Sequence, residues 1–295
     1  MKFKNGLLAL LCVGLLLPVL SSCNSQKAPA HRLQWWLDDL NWSERRTKQD
    51  GAGITIAVLD TGIDATHPDL AGKISEEYRV PSLGEIPKEH DLSHGTAVAG
   101  VLCAEPATEK GALGIAPKAT ILSVDITDSA EGIVDTAALI AGFEYAISKN
   151  VDIINVSLGL REDKEELKKV TNQAKSAGII VVAAAGNGMD DNVLFPAKYD
   201  GAFCVGAKGK KGELISPRKD VYDTIFMPGE YIVTTDAGER QYTSTNGTSS
   251  AAPMLSGLIA LILQKKANVT IEEIQNCLTN SAQQPLNIQQ VLAQI

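Results

Sequence analysis

Gly53-Ile54-Thr55-Ile56-Ala57-Val58-Leu59, followed at once by Asp60-Thr61-Gly62, is the stretch that decides the fold. It is a short apolar run opened by glycine and closed by a turn sequence, the pattern of a strand buried in a sheet. Similar runs recur at 120–124, 151–156, 179–185 and 202–205. Helical patterns lie between them. Leu139, Phe143, Ala146 and Ile147 fall on one face ahead of Asn150, and Leu167, Val170 and Ala174 make an apolar stripe in a charged segment that stops at Gly178. Strands alternating with helices predict an α/β fold of three layers, a parallel sheet with helices on both faces. In such sheets the functional residues collect at the carboxyl ends of the strands.

Four segments carry the chemistry. Asp60 follows directly on the first strand. Asp91-Leu92-Ser93-His94-Gly95-Thr96-Ala97-Val98-Ala99-Gly100 places a histidine at the start of a helix of small residues, able to pack closely. Ala183-Ala184-Ala185-Gly186-Asn187-Gly188 ends a buried strand with an asparagine between glycines. Asn246-Gly247-Thr248-Ser249-Ser250-Ala251-Ala252-Pro253 leads into the apolar run 254–263 and sets a serine where the free N–H groups of a helix start point outward. Alone, Thr-Ser-Ser before a helix is more often an N-cap than a nucleophile. The three upstream segments change that balance.

Val58-Leu59-Asp60-Thr61-Gly62-Ile63-Asp64, Ser93-His94-Gly95-Thr96-Ala97-Val98-Ala99-Gly100, Ala185-Gly186-Asn187 and Gly247-Thr248-Ser249-Ser250-Ala251-Ala252-Pro253 resemble the four signature blocks of the subtilisin-like serine peptidases, in that family's order. The resemblance covers about residues 51–266. It implies that Ser249 is the nucleophile, His94 the general base and then acid, and Asp60 the group that orients and stabilises the imidazolium. It also implies an oxyanion hole made by the Asn187 amide and the Ser249 N–H. Ser250 adjoins Ser249, and the spacing to Pro253 selects Ser249. Asp64, His67 and His90 are read as turn and loop residues. Substrate binding carries over as well. Ser157-Leu158-Gly159 resembles the strand that pairs with substrate and forms one wall of the primary specificity pocket, Ala184-Ala185-Gly186 the opposite wall, and Ala130-Glu131-Gly132 a second pairing strand. An extended peptide held between two edges gains main-chain hydrogen bonds largely independent of its sequence. Leu194 or Phe195, before Pro196, lies near the pocket floor and suggests an apolar or shallow pocket, whereas Asp190 and Asp191 would favour a basic residue. The sequence does not choose between them.

The formal net charge is −8, and loss of Lys2 and Lys4 with a signal segment makes it more acidic, which argues against nucleic acid as a partner. Lys2 and Lys4, an apolar run from Leu7 to Leu20, and Ser21-Ser22 before Cys23 read as an export signal. Leu20-Ser21-Ser22-Cys23 resembles the lipobox of bacterial lipoproteins. The organisation expected is a signal peptide over 1–22, a lipidated Cys23 with a short tether over 23–32, and one subtilisin-like peptidase domain over 33–295. The protein is accordingly expected in the bacterial cell envelope, held to a membrane through Cys23 and facing away from the cytoplasm, as a monomer. Trp35, Trp36 and Leu37 beside Asp38 and Asp39 suggest a short amphipathic helix that packs on the domain or rests at the lipid interface, and its acidic polar side favours packing. Cys103, Cys204 and Cys277 have no metal-ligand spacing and read as buried apolar residues.

Two departures from the family pattern stand out. The residues between Cys23 and Gly51 are too few for the independently stable pro-domain of many secreted relatives. The loop from Glu105 to Gly114 lacks the Asp and Asn cluster that a calcium ion would need, with Thr108 about where a ligand asparagine is expected, so no cofactor is assigned. The function implied is an endopeptidase that hydrolyses extracytoplasmic peptides or proteins through an acyl-enzyme, with a dedicated role such as leader removal as its narrower form. The alternative is a non-catalytic peptide-binding lipoprotein that keeps the fold. A lipase or esterase reading fails on the absence of a Gly-x-Ser-x-Gly elbow.

Overall fold

The computed structural model describes residues 30–42, 48–86, 90–127, 134–188, 192–216, 224–281 and 286–295. In chain order these form helices α1 (Ala30–Leu33) and α2 (Trp35–Asp39), strands β1 (Thr55–Asp60) and β2 (Ile74–Arg79), helix α3 (Ser93–Cys103), strand β3 (Thr120–Asp125), helix α4 (Thr136–Ser148), strand β4 (Ile153–Val156), helix α5 (Glu165–Ser176), strands β5 (Ile180–Ala184), β6 (Ala202–Lys208), β7 (Thr224–Pro228), β8 (Ile232–Thr235) and β9 (Tyr242–Thr245), and helices α6 (Thr248–Lys265), α7 (Ile271–Ser281) and α8 (Ile288–Gln294). The signal segment, Cys23, and Ala130-Glu131-Gly132 of the second expected pairing strand lie outside the described residues, as do Asp190 and Asp191.

Among the described residues, seven strands pair side by side in the order β2-β3-β1-β4-β5-β6-β7, all in parallel. The order reverses at β1. The chain goes from β1 out to the edge strand β2, returns to β3 beside β1, then crosses to β4 on the other side, so the carboxyl end of β1 opens onto the crevice that such a reversal creates. Asp60 is the last residue of that strand. Every residue of β4 and β5 is buried, as expected for strands covered on both faces. On one face, α4 and α5 enclose a core that includes Leu59, Val124, Phe143, Val156 and Leu167. On the other, α3 and α6 enclose a second core with Val98, Leu102, Val182 and Leu255.

Three structural features exceed the apolar runs, one of them the edge strand β7 with the sequence Thr-Ile-Phe-Met-Pro. The edge strand β2 has the sequence Ile-Ser-Glu-Glu-Tyr-Arg and pairs only with β3, so none of its residues is fully buried and no apolar run marks it. The antiparallel hairpin β8–β9 leads into the Ser249 helix, and its Thr234 and Thr235 hydroxyls donate to the carbonyls of Ala97 (2.9 Å) and Thr96 (2.6 Å) in α3. Those small α3 residues let the hairpin press on the helix beside His94.

The Trp35–Asp39 segment is helical, and Trp36 and Leu40 are fully buried in the α3–α6 core. Ala30, placed in the tether by sequence, is also buried, and its N–H donates to Lys110 O at 3.0 Å. The docked chain therefore begins before Leu33. Cys103, Cys204 and Cys277 are buried free thiols, and burial pushes the Cys103 pKa up to about 12.

Candidate active site

The carboxylate of Asp60 is fully buried, and its Oδ1 accepts from the Thr61 N–H at 2.8 Å and from His94 Nδ1 at 2.6 Å. A carboxylate oxygen can only accept, so the proton sits on Nδ1 and the lone pair of Nε2 is turned to the cleft. Asp60 Oδ2 is buried with no hydrogen-bond partner among the described residues. The undercompensated charge favours a cation beside it. The Asp60 carboxylate accordingly raises the His94 pKa above its ordinary 6.5, against the desolvation that lowers it, and the carboxylate of Asp91 adds in the same direction.

Helix α3 reaches this position because Gly95 lies on the turn after β1. A methyl group built on Gly95 would fall 2.0 Å from Gly62 O, and the Gly95 N–H donates to Thr61 Oγ1 at 3.0 Å. Only glycine allows His94 to sit that near Asp60.

Ser249 is the second residue of α6, and it lines a small pocket together with His94, Ala97, Val98, Thr245 and Ser250. His94 and Ser249 line this pocket together, and a bond between a nucleophile and its base commonly tightens only when substrate is present. Ser250, the other candidate, is buried and its hydroxyl is paired with Thr245 Oγ1 at 2.7 Å. The distance to Pro253 now has a mechanical reason. Proline has no N–H to give to the carbonyl four residues back, which is that of Ser249, and this carbonyl accepts from Ser157 Oγ at 3.1 Å. Ser157 in turn accepts from Asn155 Nδ2 at 3.1 Å, and Asn155 Oδ1 accepts from Ser256 Oγ at 2.9 Å. This chain of buried hydroxyls and amide ties β4 to the helix that carries the serine.

Asn187 stands just beyond β5 and is exposed. Its Oδ1 accepts from the Thr248 N–H at 2.8 Å and from Thr248 Oγ1 at 3.1 Å, while Thr248 Oγ1 accepts from the Gly186 N–H at 3.1 Å. With its oxygen held, the amide presents Nδ2 outward as a donor. Gly247 permits this: its φ is 104°, and a methyl group there would lie 2.5 Å from Asn187 Oδ1. The Ser249 N–H, in the first turn of α6, has no carbonyl of the helix to bond. Two donors thus stand beside Ser249, the arrangement that stabilises an oxyanion.

The expected pocket walls also converge. Leu194 N–H donates to Ala185 O at 2.9 Å, and the backbones of Leu160 and Phe195 exchange two bonds of 2.8 Å each. These hold the 193–195 segment between Ser157-Leu158-Gly159 and Ala184-Ala185-Gly186. Asp64 is a turn residue, its carboxylate accepting from Thr66 and the Gly238 N–H.

His90 differs from its reading as a plain loop residue. Its side chain is 2% exposed, and Nε2 lies 2.8 Å from Thr61 O and 3.1 Å from Asp125 Oδ2. Asp125 also holds the Arg79 guanidinium. Thr61 thereby becomes a hub, bonded through N–H to Asp60, through Oγ1 to Gly95 and through its carbonyl to His90. No spacing in the sequence links positions 79, 90 and 125; only the pairing of β2 with β3 brings Arg79 beside Asp125.

Comparison with known proteins agrees with this geometry. The profile of the subtilase family matches residues 51–293. Subtilisin E of Bacillus subtilis is 38% identical over 237 residues, 79% of this chain and 61% of that protein, so the chain spans about three fifths of that relative's length. The thermostable alkaline protease of Halalkalibacterium halodurans is 34% identical over 271 residues, 88% of this chain and 70% of that one. Among solved structures, fervidolysin from Fervidobacterium pennivorans, a keratinolytic enzyme related to subtilisin, superposes with a TM-score of 0.77 at 28% identity, over 88% of this chain and 45% of that one. The protease domain of PatA, in a serine-to-alanine mutant form, shares the fold with a TM-score of 0.72 at 24% identity, over 85% of this chain and 97% of that one. With the profile spanning most of the chain and Asp60, His94, Asn187 and Ser249 gathered at the end of one parallel sheet, this protein belongs to the subtilase family.

Proposed function

We propose that this protein is a serine endopeptidase that cleaves peptides or proteins through an acyl-enzyme. The observation that carries the reading is the 2.6 Å bond from His94 Nδ1 to buried Asp60, which leaves Nε2 basic at the pocket it shares with Ser249. A serine hydroxyl is a weak nucleophile at neutral pH, so His94 takes its proton as Oγ attacks the substrate carbonyl. The positive charge that forms on His94 is matched by Asp60. Negative charge on the carbonyl oxygen is met by Asn187 Nδ2 and the Ser249 N–H. Collapse expels the amine with the proton from His94, and water then attacks the ester by the same route. A purely binding protein would have no use for the protonation state that Asp60 imposes on His94.

Treatment of the full chain with a fluorophosphonate probe should label Ser249, and the Ser249→Ala protein should stay unlabelled. Labelling that survives the substitution refutes the assignment.

We propose that the protein acts at the bacterial cell envelope, tethered through Cys23 and monomeric, on a narrow set of peptide substrates and without nucleic acid. The support for the tether is the Leu20-Ser21-Ser22-Cys23 sequence, and that against nucleic acid is the acidic balance of −8. Incorporation of an alkyne-bearing palmitate, lost in Cys23→Ala, is the expected result; equal incorporation in that variant refutes the tether. Calcium has no part in the proposal. Asp69, which faces the 105–114 loop, has Oδ1 taken by the Ala107 N–H (2.8 Å) and Oδ2 by the Ala112 N–H (2.7 Å) and Tyr242 hydroxyl (2.9 Å). Gln34 is likewise engaged at both ends, its Oε1 by the Leu113 N–H and its Nε2 by the carbonyls of Leu113 and Val233. That these oxygens are engaged within the protein supports leaving a hard cation out of the reading.

A further inference from the structure

The carbonyl under attack is located by Ser249 Oγ and by the oxyanion donors at Asn187 and Ser249. The substrate side chain next to that carbonyl must therefore enter between the segments that adjoin those groups. One is Ala184-Ala185-Gly186, which runs directly into Asn187. The other is Ser157-Leu158-Gly159, tied to Ser249 by the 3.1 Å bond from Ser157 Oγ. Both segments face each other through a glycine, a design that leaves a slot open to a large side chain.

In this chain the slot is filled from within. A methyl group built on Gly186 would lie 2.8 Å from Leu194 Cγ and 2.9 Å from its Cδ1. A methyl group built on Gly159 would lie 2.9 Å from Leu194 Cβ and 3.3 Å from the same Cδ1. The isobutyl group thus touches both walls at once. Its backbone is fixed by the bond to Ala185 O and by the paired bonds between Phe195 and Leu160, so making room for a substrate falls to the rotamers of the side chain alone. Leu194 is half-buried, so part of its side chain stays open to solvent.

We propose that Leu194 sets the specificity of the cleft by occupying the lower part of this slot, restricting the residue before the scissile bond to glycine, alanine or serine. The inference rests on the endopeptidase reading above. A larger side chain would have to share space with close-packed Leu194, and one methylene in excess in a rigid apolar site already costs on the order of tenfold or more in kcat/KM.

The test compares two otherwise identical internally quenched peptides with Ala or Phe before the scissile bond, on the wild-type protein and on Leu194→Gly and Leu194→Ala. The wild type should prefer the Ala peptide by at least about tenfold. Leu194→Gly should lose or reverse that preference, mainly by gaining activity on the Phe peptide, and Leu194→Ala should do so in part should the glycine variant fold poorly. Fluorophosphonate labelling is run on each protein. Wild-type protein that labels yet cleaves the Phe peptide as well as the Ala peptide, or folded variants whose preference does not move, overturn the role of Leu194 alone. Wild-type protein that fails to label overturns the endopeptidase reading, and this inference with it.

Discussion

Replacing Thr248 by valine would separate what the oxyanion donor is from what aims it. Thr248 is buried, and its hydroxyl both accepts from the Gly186 N–H and donates to Asn187 Oδ1, each at 3.1 Å. Valine keeps the shape and loses both bonds. The Gly186 N–H is left buried and unpaired, a cost of about 1–3 kcal/mol in stability. Asn187 retains one of its two holds, the Thr248 N–H at 2.8 Å, and so remains in place with a looser orientation. The net worth of the lost bond is about 0.5–1.5 kcal/mol, which at about 1.4 kcal/mol per decade is roughly a twofold to tenfold fall in kcat. Asn187→Ala removes the donor itself and should cost on the order of 10²–10³, the range found for such a donor in a subtilisin. Steady-state kinetics on one peptide for the wild type, both single variants and the double variant close the cycle. In the Asn187→Ala background, Thr248→Val should leave kcat nearly unchanged while still lowering the unfolding midpoint. A fall in kcat of equal size in both backgrounds would refute the claim that Thr248 acts by aiming Asn187.

Other consequences follow from the same geometry. His94 must be neutral to accept the Ser249 proton, and its pKa is raised above 6.5 by Asp60 and Asp91. The acid limb of kcat/KM should therefore lie above pH 6.5, with activity falling as pH drops through the raised pKa. Asp91→Asn should move that limb to lower pH, and an unmoved limb in the pH profile counts against the Asp91 contribution. His90→Ala should lower kcat with KM little changed by freeing the Thr61 carbonyl, and His90→Gln, whose amide N–H reaches the same carbonyl, should restore part of it. Equal loss in both variants would mean that the hydrogen bond is immaterial. Excess chelator should leave both peptidase rate and thermal midpoint where they are. Asp69→Ala strands two backbone donors and the Tyr242 hydroxyl and should cost roughly 3–5 kcal/mol by denaturant unfolding; a chelator-sensitive midpoint would show that a metal shares that loop.

Much of the catalytic centre is legible in the sequence because it is written in local signals. Asp60 ends an uninterrupted apolar run, His94 and Ser249 open helices of small residues, and Asn187 closes a strand between glycines. Each signal needs only a few neighbouring positions, and the four segments occur in one family's order. The alternation of apolar runs with helical stripes likewise suffices for a parallel sheet with two helical layers. The edge strand β2 escapes such a reading, since a strand with one open edge has no reason to be apolar throughout.

What only the tertiary structure decided are the contacts between segments far apart in the chain. Thr248 turns Asn187 outward, His90 and Asp125 brace the turn after Asp60, and Ser157 takes over the donor's place that Pro253 leaves empty at the Ser249 carbonyl. The pocket gives the clearest case. The sequence sets Leu194 near the segments expected to wall the pocket, but a side chain has no direction until the backbone is placed. Once Leu194 is fixed by Ala185 and held between Gly159 and Gly186, its bulk is aimed into the slot. Residue identity, read along the chain, determined which chemistry this protein can carry; the direction of each side chain, set by hydrogen bonds and packing across the fold, decides where that chemistry can be applied.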